Sequence, residues 1–206
     1  QARLSVAGVQ DKLPISIINN KYGFGEGNLA STHILKFEKN NDNIILNEYL
    51  SLKLASKAGL AVADADIINI EDQKVLLVER FDRKLVSSSK VERKHIIDAC
   101  QALNLPVTHK YERAFGSNVK DYKEGASLKK IFSLANLCNS PILTKKSLIT
   151  WVCVNLCLGN CDAHGKNLSF MIEKNSMILT PFYDILNITV YGNKYDTDFA
   201  MGIDES

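Results

Sequence analysis

No apolar run in the 206 residues reaches the roughly 20 that a membrane-spanning helix needs. No signal-peptide pattern opens the chain. The net charge is only +2, so nothing electrostatic demands nucleic acid as a partner. Neither end carries a basic or acidic tail. Internal repeats and low-complexity segments are missing, which excludes stacked-repeat architectures. Cysteine is scarce and odd in number, at five. Cys153, Cys157 and Cys161 recur every four residues in one helix-like stretch. They read as reduced, buried thiols of an intracellular protein, not as a disulfide framework. What is present is ordinary for a globular protein, 46% hydrophobic and 23% charged. The length suits one domain or two small lobes. The chain opens on Gln1, which reads as a piece of a longer polypeptide.

The first third is rich in β-branched residues. "LPISII" (13–18) and "HILKFE" (33–38) read as strands, separated by a loop rich in Asn and Gly. "NIILNEYLSLKLASKAGL" carries apolar residues at helical spacing, with Ile45, Tyr49, Leu52 and Ala55 on one row and Leu46, Leu50 and Leu54 on another. Gly59 stands where a helix C-terminal cap belongs. "ADIINI" and "KVLLVERF" read as a hairpin, and the polar "DRKLVSSSKVERK" as a linker. "RKHIIDACQAL", "SLKKIFSLANLC" and "KKSLITWVCVNLCLG" then read as helices, the first ended by Pro106. A short hairpin follows, "NLSFMI" and "MILT". The expectation is an α+β chain of two unequal lobes, with a β-rich lobe over 1–85 and a mainly helical lobe over 86–206.

"GNCDAHGKNLSF" (159–170) concentrates polar groups between apolar stretches. Asp162 and Asn167 lie five residues apart, and Asp184 follows after the hairpin. That is the order of a kinase catalytic loop and its metal-binding aspartate. In phosphoryl transfer one carboxylate orients the attacking hydroxyl, while a carboxamide and a second carboxylate hold Mg²⁺ on the phosphates. A polar loop after a helix is the plainer alternative. Cys157, Cys161 and His164 suggest zinc, but a second ligand pair at the right spacing is lacking.

Other parts fall in the same order. "SVAGVQDK" (5–12) precedes a strand and is a weak phosphate loop, with Gly8 its one glycine and no Walker A pattern. Lys36 sits within an apolar strand, where an amine requires an anion, and Glu48 in the next helix is its natural counter-ion. Backbone near Glu79–Phe81, at the end of "LLVERFD", is placed to meet an adenine edge.

Together "SVAGVQDK", "STHILKFE", "NEYLSLKLASKAGL", "VLLVERFDR", "GNCDAHGKN" and "LTPFYDIL" resemble the HipA-like serine/threonine kinase toxins of bacterial toxin–antitoxin systems. The resemblance implies a two-lobed protein-kinase-like fold using ATP and Mg²⁺. It implies Asp162 as catalytic base, Asn167 and Asp184 as Mg²⁺ ligands, and Lys36 on the ATP phosphates under a loop of Val6, Ala7, Gly8, Val9, Gln10, Asp11 and Lys12. Glu79 and Phe81 would offer hinge backbone, His164 and Lys166 would join the nucleotide contacts, and Ser5 would be the autophosphorylated serine. It further implies a cytoplasmic protein, an aminoacyl-tRNA synthetase as substrate, and a HipB-like antitoxin through which DNA is met indirectly. The resemblance is expected to be to the shorter HipT-type members, in which a separate HipS-like protein supplies the small N-terminal subdomain of HipA. The resemblance also implies further helices after the segment of Asp184, so the helical lobe is expected to be incomplete at its C-terminal end. A catalytically silent nucleotide-binding subunit and a small-molecule kinase are the alternative readings.

Overall fold

The computed structural model describes residues 10–25, 29–38, 42–88, 90–113 and 124–202. The first half supplies β1 (Asp11–Ile18), β2 (Lys21–Gly23), β3 (His33–Phe37), α1 (Ile44–Lys57), β4 (Ala65–Ile70) and β5 (Gln73–Glu79). The strands form an antiparallel sheet in the order β2-β1-β3-β5-β4. Strand β1 begins at Asp11, earlier than expected, because its ladder with β3 extends to Phe37. Strand β2 corrects the expected loop. Asn19 and Asn20, at φ 51° and 61°, supply the left-handed pair that a two-residue hairpin turn needs. Pro14 is tolerated inside β1 because β2 pairs only from Ser16 onward, leaving an open edge for a residue with no N–H.

Helix α1 buries Ile45, Glu48, Leu52 and Ala55, and Gly59 at φ 92° turns the chain out of it. The row Leu46, Leu50 and Leu54 points outward instead, 38%, 50% and 55% exposed. Beyond β5 the expected linker is a two-stranded ribbon, β6 (Arg83–Ser87) and β7 (Lys90–Arg93). It eluded the hydrophobic pattern because Val91 is its one buried residue among those described. The helix expected around residues 93–103 is also corrected. Ile96–Asp98 form β8, and only Ala99–Ala102 form a helix, α2, started by a reciprocal capping box between Asp98 and Gln101.

Helices α3 (Leu128–Leu134) and α4 (Pro141–Leu158) follow, then β9 (Ser169–Ile172) and β10 (Met177–Leu179), which join β8 in a three-stranded sheet. By length and composition alone α4 could cross a membrane, yet it seats Leu148, Trp151 and Asn155 in the core. The cysteine expectation is half corrected. Cys153 and Cys157 are exposed, while Cys161 lies past the end of α4, buried, with its thiol on the Thr197 carbonyl at 3.0 Å. One continuous apolar core joins Leu52 of α1, Leu76 of β5, Trp151 of α4, Phe170 of β9 and Phe182. Trp151 stacks on Phe182 at 6.0 Å. The architecture is α+β and two-lobed, with a β-rich first part and a mainly helical second part.

Candidate active site

A cleft of about 270 Å³ opens between the sheet and the segment around Asp184. Ile34, Ala63, Val78, Phe81 and Ile96 give it an apolar end, and Lys36, Glu48 and Asp184 a charged one. An apolar slot with a few converging polar groups is the usual form of a small-molecule site.

The charged end is an ion cluster drawn from three elements. Lys36 Nζ on β3 donates to Glu48 Oε1 of α1 at 2.5 Å and also to Asp184 Oδ1. Lys12, in register with Lys36 on the neighbouring strand, places Nζ 3.7 Å from Asp184 Oδ2. Burial pushes the Lys36 ammonium down, but the carboxylates of Asp184 and Glu48 outweigh it and hold it above its ordinary value. Burial likewise raises the Asp184 carboxyl, and Lys36 and Lys12 overcome that and hold it well below the usual range. Glu48 is the opposite case. Burial raises it, and Lys36 only partly offsets the effect. Asp184 adopts φ 53°, a left-handed conformation that costs a non-glycine residue about 1–3 kcal/mol. Such strain gathers where side-chain placement matters more than backbone comfort.

The second cluster is the loop after α4. Gly159 ends the helix at φ 64°, with the Thr189 side chain 2.6 Å from where a Cβ would stand. Asn160, almost fully buried, donates to Asn155 Oδ1 at 2.7 Å and accepts from the Asp162 N–H at 3.3 Å. The Asn167 amide donates to the Asp162 carbonyl at 3.0 Å. That bond closes the five-residue turn and commits the Nδ2 end of the amide. Asp162 Oδ1 accepts from the Tyr111 hydroxyl at 2.6 Å. His164 Nε2 lies 3.0 Å from Lys110 Nζ and 4.0 Å from Asp162 Oδ1. Tyr183, next to Asp184 in the chain, donates its hydroxyl to the Lys166 carbonyl of this loop at 2.9 Å, so the two clusters adjoin.

The other expected residues divide. Ser5, Val6, Ala7, Gly8 and Val9 lie outside the described residues. Gln10 is buried, while Asp11 and Lys12 are already strand. The Glu79 N–H is committed to the Asp64 carbonyl at 2.9 Å, and Phe81 lines the cleft beside Tyr183, ring to ring at 5.8 Å. Lys166 is drawn to Asp98 Oδ2 at 2.5 Å.

Three features escaped the sequence reading. Asp82, given no role from the sequence, is buried, accepting from Arg80 through two nitrogens (3.0 and 2.8 Å) and from Arg83. Asn47 on α1 donates to the Asn187 carbonyl and accepts from the Asn187 N–H, both at 2.8 Å, and donates to Tyr191 Oη at 2.9 Å. It fastens the helix bearing Glu48 to the segment just past Asp184. Tyr111 is the third.

Residues 4–206 match the HipA-like C-terminal domain family. The serine/threonine-protein kinase toxin HipA of Shewanella oneidensis is 44% identical over 206 residues, 98% of this chain and 47% of that protein. The putative kinase Y4mE of Sinorhizobium fredii is 33% identical over 194 residues, 92% of this chain and 43% of that one. Among solved structures, a chain of the S. oneidensis HipA, HipB and operator DNA complex superposes with a TM-score of 0.92 at 43% identity, covering 99% of this chain and 48% of its own. The Helicobacter pylori proinflammatory kinase CtkA matches with a TM-score of 0.56 at 15% identity, over 83% of this chain and 53% of its own, a likeness of fold alone. The chain spans about half the length of the relatives it matches.

Proposed function

The chain belongs to the HipA-like C-terminal domain family, and from that premise we propose that it carries the phosphoryl-transfer centre of an ATP-dependent serine/threonine kinase, the toxin of a toxin–antitoxin pair. The observation that carries this reading is the buried Lys36–Glu48–Asp184 cluster at the polar end of an apolar cleft, beside the Asp162–Asn167 turn. Phosphoryl transfer needs positioning and charge compensation, with little covalent work for the protein, and this arrangement offers both.

The adenine would occupy the apolar end. The Glu79 N–H being taken, the Glu79 carbonyl and the Phe81 N–H are the hinge groups left to a base edge. Lys36 would hold the phosphates in place, and Lys12 adds positive charge beside them. Asn167 and Asp184 offer hard oxygens of the type Mg²⁺ takes, and the Asn167 bond to the Asp162 carbonyl leaves its Oδ1 as the ligating end. When bound, Mg²⁺ would neutralise phosphate charge. Asp162 would accept the proton of the acceptor hydroxyl as its oxygen bonds to the γ-phosphorus and the bond to the ADP oxygen breaks. His164 would stay near the phosphates, while Lys166 holds the loop through Asp98.

The division at about residue 85, an aminoacyl-tRNA synthetase as acceptor, a HipB-like antitoxin that brings DNA indirectly, a small HipS-like companion and a cytoplasmic location belong to the same proposal. So does Ser5 as the residue the kinase phosphorylates on a neighbouring copy. Its added charge of about −1.5 to −2 would repel ATP and inhibit the enzyme.

The deciding test is phosphate incorporation from [γ-³²P]ATP with Mg²⁺, wild type beside Asp162→Asn. The wild type transfers phosphate, and mass spectrometry finds it on Ser5. Asp162→Asn loses about 10²–10⁴ in rate while binding ATP within a few-fold. Near-normal transfer by Asp162→Asn refutes the assignment.

A further inference from the structure

The geometry points to Tyr111 as the positioning residue that orients the Asp162 carboxylate for proton transfer, an inference that rests on the kinase reading above. Nothing in the sequence marks Tyr111, which is 51 residues from Asp162 and in a stretch of mixed polarity. In the fold it sits on a strap that follows the short 3₁₀ turn Val107–His109. The strap is tied on both sides of the tyrosine. The His109 carbonyl accepts from Ala126 N–H at 2.9 Å and the Lys110 carbonyl from Gly165 N–H at 2.9 Å. Glu112 donates its N–H to the Ala200 carbonyl at 3.0 Å and accepts from Gly125 N–H at 3.2 Å.

The strap therefore arrives fixed against the loop that bears Asp162. Gly165 packs into the same junction: a Cβ there would come within 2.7 Å of Ala126 Cβ, the residue whose N–H holds the His109 carbonyl, and within 2.9 Å of Cys100 Sγ. Tyr111 is 7% exposed, and its ring meets His164 edge-on at 5.1 Å. Lys110 Nζ lies 4.9 Å from the ring centroid. The ring thus has little freedom, and its hydroxyl is delivered to Asp162 Oδ1 at 2.6 Å.

A carboxylate on a two-carbon side chain turns about its terminal torsion with a broad preference. A general base must meet the proton it takes at hydrogen-bond distance, and a small misplacement lowers the rate by large factors. A strong O–H···O⁻ bond from an immobile phenol removes that freedom. The Tyr111 hydroxyl is spent on Asp162, the group assigned to the acceptor hydroxyl and not to the nucleotide. The effect should therefore fall on the transfer step and spare nucleotide binding.

Tyr111→Phe removes the hydroxyl and keeps the ring against His164. The test uses the intact protein and measures the single-turnover rate of ³²P transfer from Mg-ATP into the chain. Rates are normalised to the fraction binding mant-ATP, so that only folded molecules are counted. Tyr111→Phe should slow transfer about 10-fold or more, with mant-ATP affinity within two-fold. In the Asp162→Asn background the same change should alter the residual rate by less than about two-fold, because a residue acting through Asp162 has nothing left to orient. A normal rate in Tyr111→Phe, a rate loss matched by lost nucleotide affinity, or undiminished effects in the double variant would each overturn the inference. If the wild type transfers no phosphate at all, the kinase reading falls, and this inference with it. If the wild type is active, Asp162→Asn inactive and Tyr111→Phe normal, only the role of Tyr111 falls.

Discussion

Replacing Lys36 by Met keeps the length of the side chain and deletes the charge that a buried and a partly buried carboxylate share. Glu48 is 1% exposed and loses its ammonium partner at 2.5 Å. Asp184 keeps Lys12, but at 3.7 Å and with that lysine side chain 36% exposed, a distance and setting at which attraction is weak. Breaking a buried pair from one side costs about 3–5 kcal/mol, since the remaining charge stays desolvated and uncompensated. Lys36→Met should therefore lower folding stability by about that amount, a large share of the whole for a chain of this size. Adding Glu48→Gln removes the stranded charge, and the double variant should recover to within about 1–2 kcal/mol of wild type. Glu48→Gln alone should keep or slightly raise stability at neutral pH, because burial already holds that carboxyl above its ordinary value. All three variants should transfer phosphate poorly.

The pH dependence follows from the same shifts. Asp184 is held below its ordinary 3.8, so its contribution is present above that pH and is lost as pH falls further toward its folded value. Lys36 is held above 10.5, so its contribution is present below that pH and is lost only as strong alkali titrates the folded group. In Lys36→Met, Glu48 loses the ammonium that offset its burial and its carboxyl rises further, so the stability gap between wild type and Lys36→Met should be widest on the alkaline side and shrink as falling pH neutralises first Glu48 and then Asp184. Urea titrations at pH 3, 5, 7 and 9 measure this. A Lys36→Met midpoint equal to wild type at pH 7, or a double variant no more stable than the single, would refute the reasoning.

Asn47→Ala should lower stability by about 1–2 kcal/mol, from the loss of hydrogen bonds at half-buried positions, and should slow transfer more than it weakens ATP binding; thermal melts and mant-ATP titration measure both. Gly165→Ala should destabilise by about 1–3 kcal/mol, the range for forcing atoms into a packed site. It should also shift the Tyr111 strap, which tyrosine fluorescence and transfer rates would report; an unchanged enzyme would mean that the strap yields freely.

The charged half of the site was legible because its chemistry is local. An amine in "HILKFE" demands an anion, and the spacing of α1 turns Glu48 inward with Ile45, Leu52 and Ala55. Asp162, Asn167 and Asp184 stand in a fixed order around a hairpin whose alternation is readable. What escaped was written in weak or distant signals. The β6–β7 ribbon has no buried face to create alternation. Strand β8 is three residues long, and its "IID" continues into a helical start with no break in apolar spacing. Asn47 and Tyr111 reach partners 140 and 51 residues away, and neither type announces such a contact. Asp82 carried no mark of burial because the two arginines that pair with it, Arg80 and Arg83, are of a type equally at home on a surface.

Asn47 also has a mechanical meaning. Starting from α1, one passes through Glu48 to Lys36, to Asp184, along the backbone to Asn187, and through Asn47 back to α1. The links form a closed ring, and a ring of rigid members cannot be opened by turning one of them. The helix cannot swing away from the sheet unless the Asn47 clasp or an ion pair gives way first. A small molecule that sought room behind Lys36 by levering the helix outward would spend binding energy on breaking that ring. Inhibitors shaped for the apolar end, against Phe81 and Ile96, would meet the ring already shut and leave it so.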